Sequence, residues 1–345
     1  MYSCSRKYES ANQGKVGVLI TNLGTPDSPT KESLKVYLKE FLSDPRVVEP
    51  PPARWLWKLI LNLIILNTRP KKSAEAYQSV WGKFGDGSPL LDIGKEQKRL
   101  ISKELNDKYS GQFEVEIGMR YGNPSIASGL KNLEEKGCEK VLIFPLYPQY
   151  ASATTGSTFD AVADALKTMR RVPELKFVSQ YFDDKRFIKA LSNSVKKFQK
   201  QHGKPDLLLT SYHGIPKRYF ENGDNYPCHC CKTTYLLAKD LKLEPSKYKM
   251  SFQSLFGKEE WMREYTDETL KSLPSKGVKN VQVICPGFSA DCLETIEEID
   301  EENREYFMEA GGETYHYIPT LNYDKEHISC LTGIIIDKTK DWMIK

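Results

Sequence analysis

Two segments in the second half of the chain carry residues suited to metal and proton chemistry. One reads Ser211-Tyr212-His213-Gly214-Ile215-Pro216. The other reads Pro286-Gly287-Phe288-Ser289-Ala290-Asp291-Cys292-Leu293-Glu294-Thr295. An imidazole titrates near neutral pH, so His213 can hold a metal ion or accept a proton. Gly214 and Pro216 stop the preceding strand and turn the chain, which leaves that imidazole at a rim. The second segment opens an acidic pattern: Asp291, Glu294, Glu298 and Glu301 or Glu302 recur every three or four residues. In a helix over residues 291–310 they share one face. Acids in a first turn complement the helix dipole, which accounts for Asp291 and Glu294. A stripe of like charge continuing past that turn repels itself. Leading to a histidine, it suits a path for a divalent cation or for departing protons.

Other segments add to the inventory. In Ile117-Gly118-Met119-Arg120-Tyr121, Arg120 either holds a ligand carboxylate or makes a plain salt bridge between lobes. Thr154-Thr155-Gly156-Ser157 reads as a loop opening a helix, an anion-facing N-terminus without the lysine spacing of a P-loop. Phe84-Gly85-Asp86-Gly87-Ser88-Pro89 follows Trp81 and is either a shelf for a flat apolar ligand or a surface turn. Cys228, Cys230 and Cys231 surround His229. They are either a zinc or iron–sulfur site or ordinary loop thiols, and adjacent Cys230 and Cys231 converge poorly on one metal.

Strands over 16–21, 114–119, 140–145, 175–179, 207–211, 249–253, 281–285 and 315–318 have to place these groups. Between them lie helices over 30–42, 125–136, 157–169, 185–201, 233–241, 267–273, 291–310 and 325–338. Such alternation implies an α/β fold with parallel sheets flanked by helices on both faces. Ligands in such folds bind beyond the carboxyl ends of the strands, where every segment above lies. Leu19-Ile20-Thr21-Asn22-Leu23-Gly24-Thr25-Pro26 and Leu208-Leu209-Thr210-Ser211-Tyr212-His213-Gly214-Ile215-Pro216 share a strand–turn–proline form. Two similar lobes with a cleft between them follow.

The chain has 345 residues, enough for two domains of ordinary size. A net charge of +4, from 50 basic and 46 acidic residues, is too small and mixed for a nucleic-acid partner. Eight cysteines in this length point to a reduced, cytoplasmic setting. Residues 1–15 lack the apolar core of a signal peptide, so export is not expected. The stretch from Trp55 to Leu66 is strongly apolar but interrupted by Lys58 and Asn62, too short to span a bilayer. Its tryptophans, with Arg54, Arg69, Lys71 and Lys72 nearby, fit a segment resting on a membrane surface. A buried core helix and an apolar lip over a greasy substrate are the other two readings.

These motifs together resemble the ferrochelatases, terminal enzymes of protohaem synthesis. The resemblance runs from Leu19 to Asn322 and is carried by Tyr212-His213-Gly214-Ile215-Pro216, Phe252-Gln253-Ser254 with Phe256-Gly257, and Cys285 to Thr295. It implies two Rossmann-like lobes with a porphyrin cleft between them. The expected division is residues 1–165 with an apolar lip at 51–67, residues 166–320, and a C-terminal helix at 321–345 packing back on the first lobe. It implies insertion of Fe²⁺ into protoporphyrin IX with release of two protons. His213 and Glu294 match the metal and catalytic positions, and Asp291 and Glu298 an acidic path. Leu23, Ser88, Arg120, Tyr121, Trp261 and Phe288 match the porphyrin lining. No permanently bound cofactor and no [2Fe–2S] cluster are expected, because the loop before Thr154 reads Ala151-Ser152-Ala153 and no cysteine extension ends the chain. A chelatase for coproporphyrin III and a non-catalytic haem carrier are the alternatives. A zinc hydrolase lacks its paired-histidine helix motif.

Overall fold

The computed structural model describes residues 15–49, 54–257 and 259–343. The strands among these residues are β1 (Val16–Thr25), β2 (Phe113–Gly122), β3 (Lys140–Pro145), β4 (Glu174–Phe177), β5 (Leu207–His213), β6 (Tyr248–Gln253), β7 (Asn280–Ile284) and β8 (Thr314–Ile318). They form two four-stranded sheets, ordered β2-β1-β3-β4 and β6-β5-β7-β8. Every pairing within them is parallel. The order is therefore the same in both lobes, and β1 and β5 occupy equivalent places.

The period-two pattern of the strands explains the layering. In β1, Val16, Val18 and Ile20 face one core with Ile101, Leu105, Ile328, Leu331 and Ile335. Leu19 points the other way, to Ile126, Leu130, Leu133 and Val162. β3 alternates likewise, with Leu142 and Phe144 on the first side and Val141 and Ile143 on the second. Gly24, next to last in β1, sits at φ +112, where a Cβ would lie 1.8 Å from the Tyr121 carbonyl oxygen, so glycine alone fits.

Four features depart from the sequence reading. The helix Pro89–Tyr109, at 21 residues the longest among the described residues, follows the turn read at 84–89, over a stretch to which the sequence assigned no element. Ser88 caps it by accepting from the Leu91 amide, with Pro89 in the first turn. Secondly, β4 pairs with β3 in the first sheet, so the 165/166 division falls too early; the chain crosses over after Phe177. Thirdly, the C-terminal helix Lys325–Thr339 packs on Pro89–Tyr109 of the first lobe and equally on Lys185–His202 of the second. Fourthly, the helix expected over 291–310 begins at Glu294, as a wide π-helical turn to Glu302, and regains α geometry over Asn303–Glu309.

The apolar stretch forms helix Arg54–Ile60, a π turn Leu61–Ile65 and helix Leu66–Val80. Leu61 and Leu66 are buried, but Trp55 is 65% exposed and Leu63 68%, with Leu56, Leu59 and Ile64 also exposed. A buried core helix is thus excluded. Residues 51–53 of the expected lip lie outside the described residues. No helix among the described residues is long and apolar enough to cross a membrane.

Candidate active site

In the second sheet β5 pairs with β6 on one side and β7 on the other. Chain direction from β5 reverses there, and such a switch point opens a crevice beyond the carboxyl ends. His213 is the last residue of β5, and Glu294 opens the π turn that follows β7. Both line a cavity of about 340 Å³ between the lobes, together with Leu23, Ser88, Trp261 and Phe288. Leu23, Tyr37, Tyr77 and Tyr147 supply the first lobe's wall; Ile215, Trp261 and Phe288 supply the second's.

The histidine tautomer follows from one contact. Nδ1 of His213 lies 2.7 Å from the Gly214 carbonyl oxygen. A carbonyl only accepts, so in the neutral ring Nδ1 carries the hydrogen and the lone pair is on Nε2. The ring also lies 6.3 Å, centroid to centroid, from Trp261.

A small polar hub sets the acids. Gln253, buried at the end of β6, donates to the Glu294 carbonyl at 2.8 Å and accepts from Ser211 Oγ at 2.8 Å. Ser254 donates its amide to Glu298 at 2.6 Å and its hydroxyl at 2.5 Å. Burial raises the Glu298 carboxyl above its ordinary range, against the Ser254 hydrogen bonds and the attraction of His213. Glu297 is pushed up to about 7, by burial first and then by Glu302, Glu298 and Glu301. Burial, with the neighbouring Glu294, also raises the Cys292 thiol well above its usual value. Glu298 thus feels the charge of the histidine without lining the cavity.

Asp291 does not extend that stripe. It precedes the π turn and accepts from Tyr317 Oη at 2.6 Å, Asn322 Nδ2 at 2.6 Å and Thr295 Oγ1 at 3.0 Å. Those bonds tie it to the C-terminal part of the chain.

Arg120 and Tyr121 are also away from the cavity. Arg120 pairs with Asp44 and donates to the Ser157 carbonyl at 3.0 Å; Tyr121 Oη donates to Asp44 at 2.8 Å. Burial alone would raise Asp44, but Ser157, the Arg46 amide, Tyr121 and the Arg120 charge hold its carboxyl below the ordinary range. Both partners belong to the first lobe, so Arg120 is neither an interlobe bridge nor a cleft cation. Ser157 turns inward to Asp44, and the Ser152 amide donates to Asp224, so protein carboxylates fill the expected anion place.

Among the described residues, Arg69, on Leu66–Val80, is the lysine or arginine facing the cavity, stacked 4.2 Å from the Phe256 centroid. Sequence reading had placed Arg69 only among surface charges. Cys228, Cys230 and Cys231 lie on helix Tyr226–Leu241, not in a loop. Cys230 is buried beside Tyr212 and Tyr226, while Cys228 and Cys231 face outward and His229 stacks on Phe182 at 4.1 Å. Among the described residues no three potential ligands cluster as a metal site.

A sequence model of the ferrochelatase family matches residues 15–339. The chain belongs to the ferrochelatase family. A ferrochelatase of Hydrogenovibrio crunogenus is 64% identical over 335 residues, 97% of this chain and 89% of that protein. One of Idiomarina loihiensis is 52% identical, over 100% of this chain and 93% of that protein. Among solved structures, SirB from Bacillus subtilis with Fe³⁺ covers 95% of this chain and 97% of its own, at TM-score 0.53 and 11% identity. That likeness concerns the two-lobed fold. As a ferrochelatase the chain is an enzyme, a lyase that inserts iron into a porphyrin in haem synthesis.

Proposed function

We propose that the porphyrin is protoporphyrin IX, that Fe²⁺ is inserted, and that His213 and Glu294 carry the exchange. The observation behind the choice of porphyrin is the cavity wall: aliphatic and aromatic but for a few polar groups, with Arg69 its one guanidinium or ammonium group among the described residues. That suits a ring with two carboxylates better than coproporphyrin III, with four.

A flat ring between the lobes meets His213 on one face and Leu23 on the other. The free porphyrin gives up two pyrrole protons and accepts one Fe²⁺, leaving an iron–porphyrin core with no net charge, its propionates still ionised, and two protons. His213 Nε2 accepts a pyrrole proton, because Nδ1 is committed to Gly214. The Glu294 carboxylate on the same lobe supplies an oxygen donor for borderline Fe²⁺. Glu298, held by Ser254 within the field of His213, takes the proton onward, and Glu297 with Glu301 and Glu302 continues that acidic surface outward. Asp291 anchors the loop rather than joining the path. Arg69 attracts a propionate at the cleft mouth.

The exposed ridge from Trp55 to Ile64, flanked by Arg54, Lys58, Lys71 and Lys72, rests on an anionic membrane face, with the body of the protein in the cytoplasm. An anaerobic assay of purified protein with protoporphyrin IX, or coproporphyrin III, and Fe²⁺ tests the reading. Preferred turnover of protoporphyrin supports it. Preference for coproporphyrin, or tight haem binding without turnover, overturns it.

A further inference from the structure

Phe256 lies two residues beyond Ser254 on the second lobe's jaw and is 37% exposed. Arg69 stands opposite on the first lobe, and its guanidinium carbon is 4.2 Å from the ring centroid. Both side chains line the cavity, so their contact crosses the cleft. Among the described residues no carboxylate pairs with Arg69; burial acts on its charge with no acid opposing it. An aromatic face stabilises a cation without occupying its N–H donors.

We propose that Phe256 is a positioning residue for substrate capture. Its ring holds Arg69 over the cleft mouth with the N–H fork free, ready for a carboxylate of the arriving porphyrin. This rests on the porphyrin reading above. A carboxylate offers paired charge-assisted hydrogen bonds, which are stronger than the contact to a neutral ring. The substrate therefore draws the guanidinium over without having to break an ion pair. Peripheral carboxylates keep their charge throughout metal insertion, so the contact contributes equally to ground and transition states. Losing the ring weakens binding and leaves the chemical step alone.

The test compares Phe256→Leu and Phe256→Tyr with the wild type in the full chain. Anaerobic iron insertion and porphyrin fluorescence titration are measured on protoporphyrin IX and on its dimethyl ester. The expected result for Phe256→Leu is a rise of about 3- to 10-fold in KM and Kd for the free acid. Its kcat stays within about 2-fold. Phe256→Tyr restores both constants, and the ester binds wild type and Phe256→Leu alike. Unchanged affinity for the free acid in Phe256→Leu overturns the proposal. So does an equal loss on the ester, which would make the ring a plain apolar wall. Should the wild type bind porphyrin without inserting iron, the chelatase reading fails, while the two titrations still decide the role of Phe256.

Discussion

The amide of Gln253 reaches the main-chain carbonyl of Glu294 at 2.8 Å, where the wide π turn begins. Its oxygen is taken by Ser211 Oγ, two residues before His213. One buried side chain thus fixes the strand end bearing the histidine relative to the turn bearing the glutamate. Replacing it by leucine strands buried polar groups, at a cost of about 1–3 kcal/mol. Gln253→Leu is expected to lower kcat about 10-fold while the chain still folds. Kinetics beside thermal unfolding check this; unchanged kcat would show that Glu294 is held by other means.

His213→Ala removes the proposed proton acceptor. The expected loss is about 10²–10⁴-fold in kcat, with an unfolding temperature near that of the wild type. Glu294→Gln keeps the shape and removes the charge, and should lose iron insertion while retaining porphyrin binding. Substantial turnover in folded His213→Ala would remove the imidazole from the reaction.

Arg120 and Arg69 should behave oppositely. Arg120→Met leaves Asp44 buried without its cation, which costs about 3–5 kcal/mol of stability. Porphyrin KM should barely change in whatever protein remains folded. Arg69→Met should raise KM and leave stability near the wild-type value. Denaturant titration and steady-state kinetics on the pair distinguish the two roles.

His327 gives an acid limb to stability. It is fully buried, and burial lowers its pKa from 6.5 to about 4, against the hydrogen bond to the Asn322 carbonyl. Below pH 6.5 the unfolded chain binds a proton there that the folded chain refuses. Stability present above pH 6.5 is therefore lost as pH falls towards 4, by up to about 3 kcal/mol. His327→Gln cannot titrate and should flatten that part of the profile. Parallel slopes for variant and wild type between pH 6.5 and 4 would assign the acid limb to other groups.

Serine at Trp55, Leu63 and Ile64 should abolish co-sedimentation with anionic vesicles and spare iron insertion into detergent-dispersed porphyrin. Equal sedimentation of wild type and variant would detach the ridge from any membrane role.

Much of this protein was legible in its sequence, because parallel strands buried on both faces and amphipathic helices announce themselves locally. β3 falls on the expected residues, and His213 and Glu294 lie on a shared cavity as the strand-end argument required. Helix Pro89–Tyr109 has Leu90, Ile93, Gln97, Ile101 and Leu105 at helical spacing, yet the sequence reading stopped at the turn ending in Pro89 and assigned it no element. What only the tertiary structure decided is which charges face the cleft. Arg120 reaches Asp44, 76 positions away, and Asp291 reaches Tyr317 and Asn322, while Arg69 is left facing open space. Periodicity places a side chain on a face of its own element. Its partner is fixed by where distant elements pack, and a buried charge goes to the partner that repays its lost water.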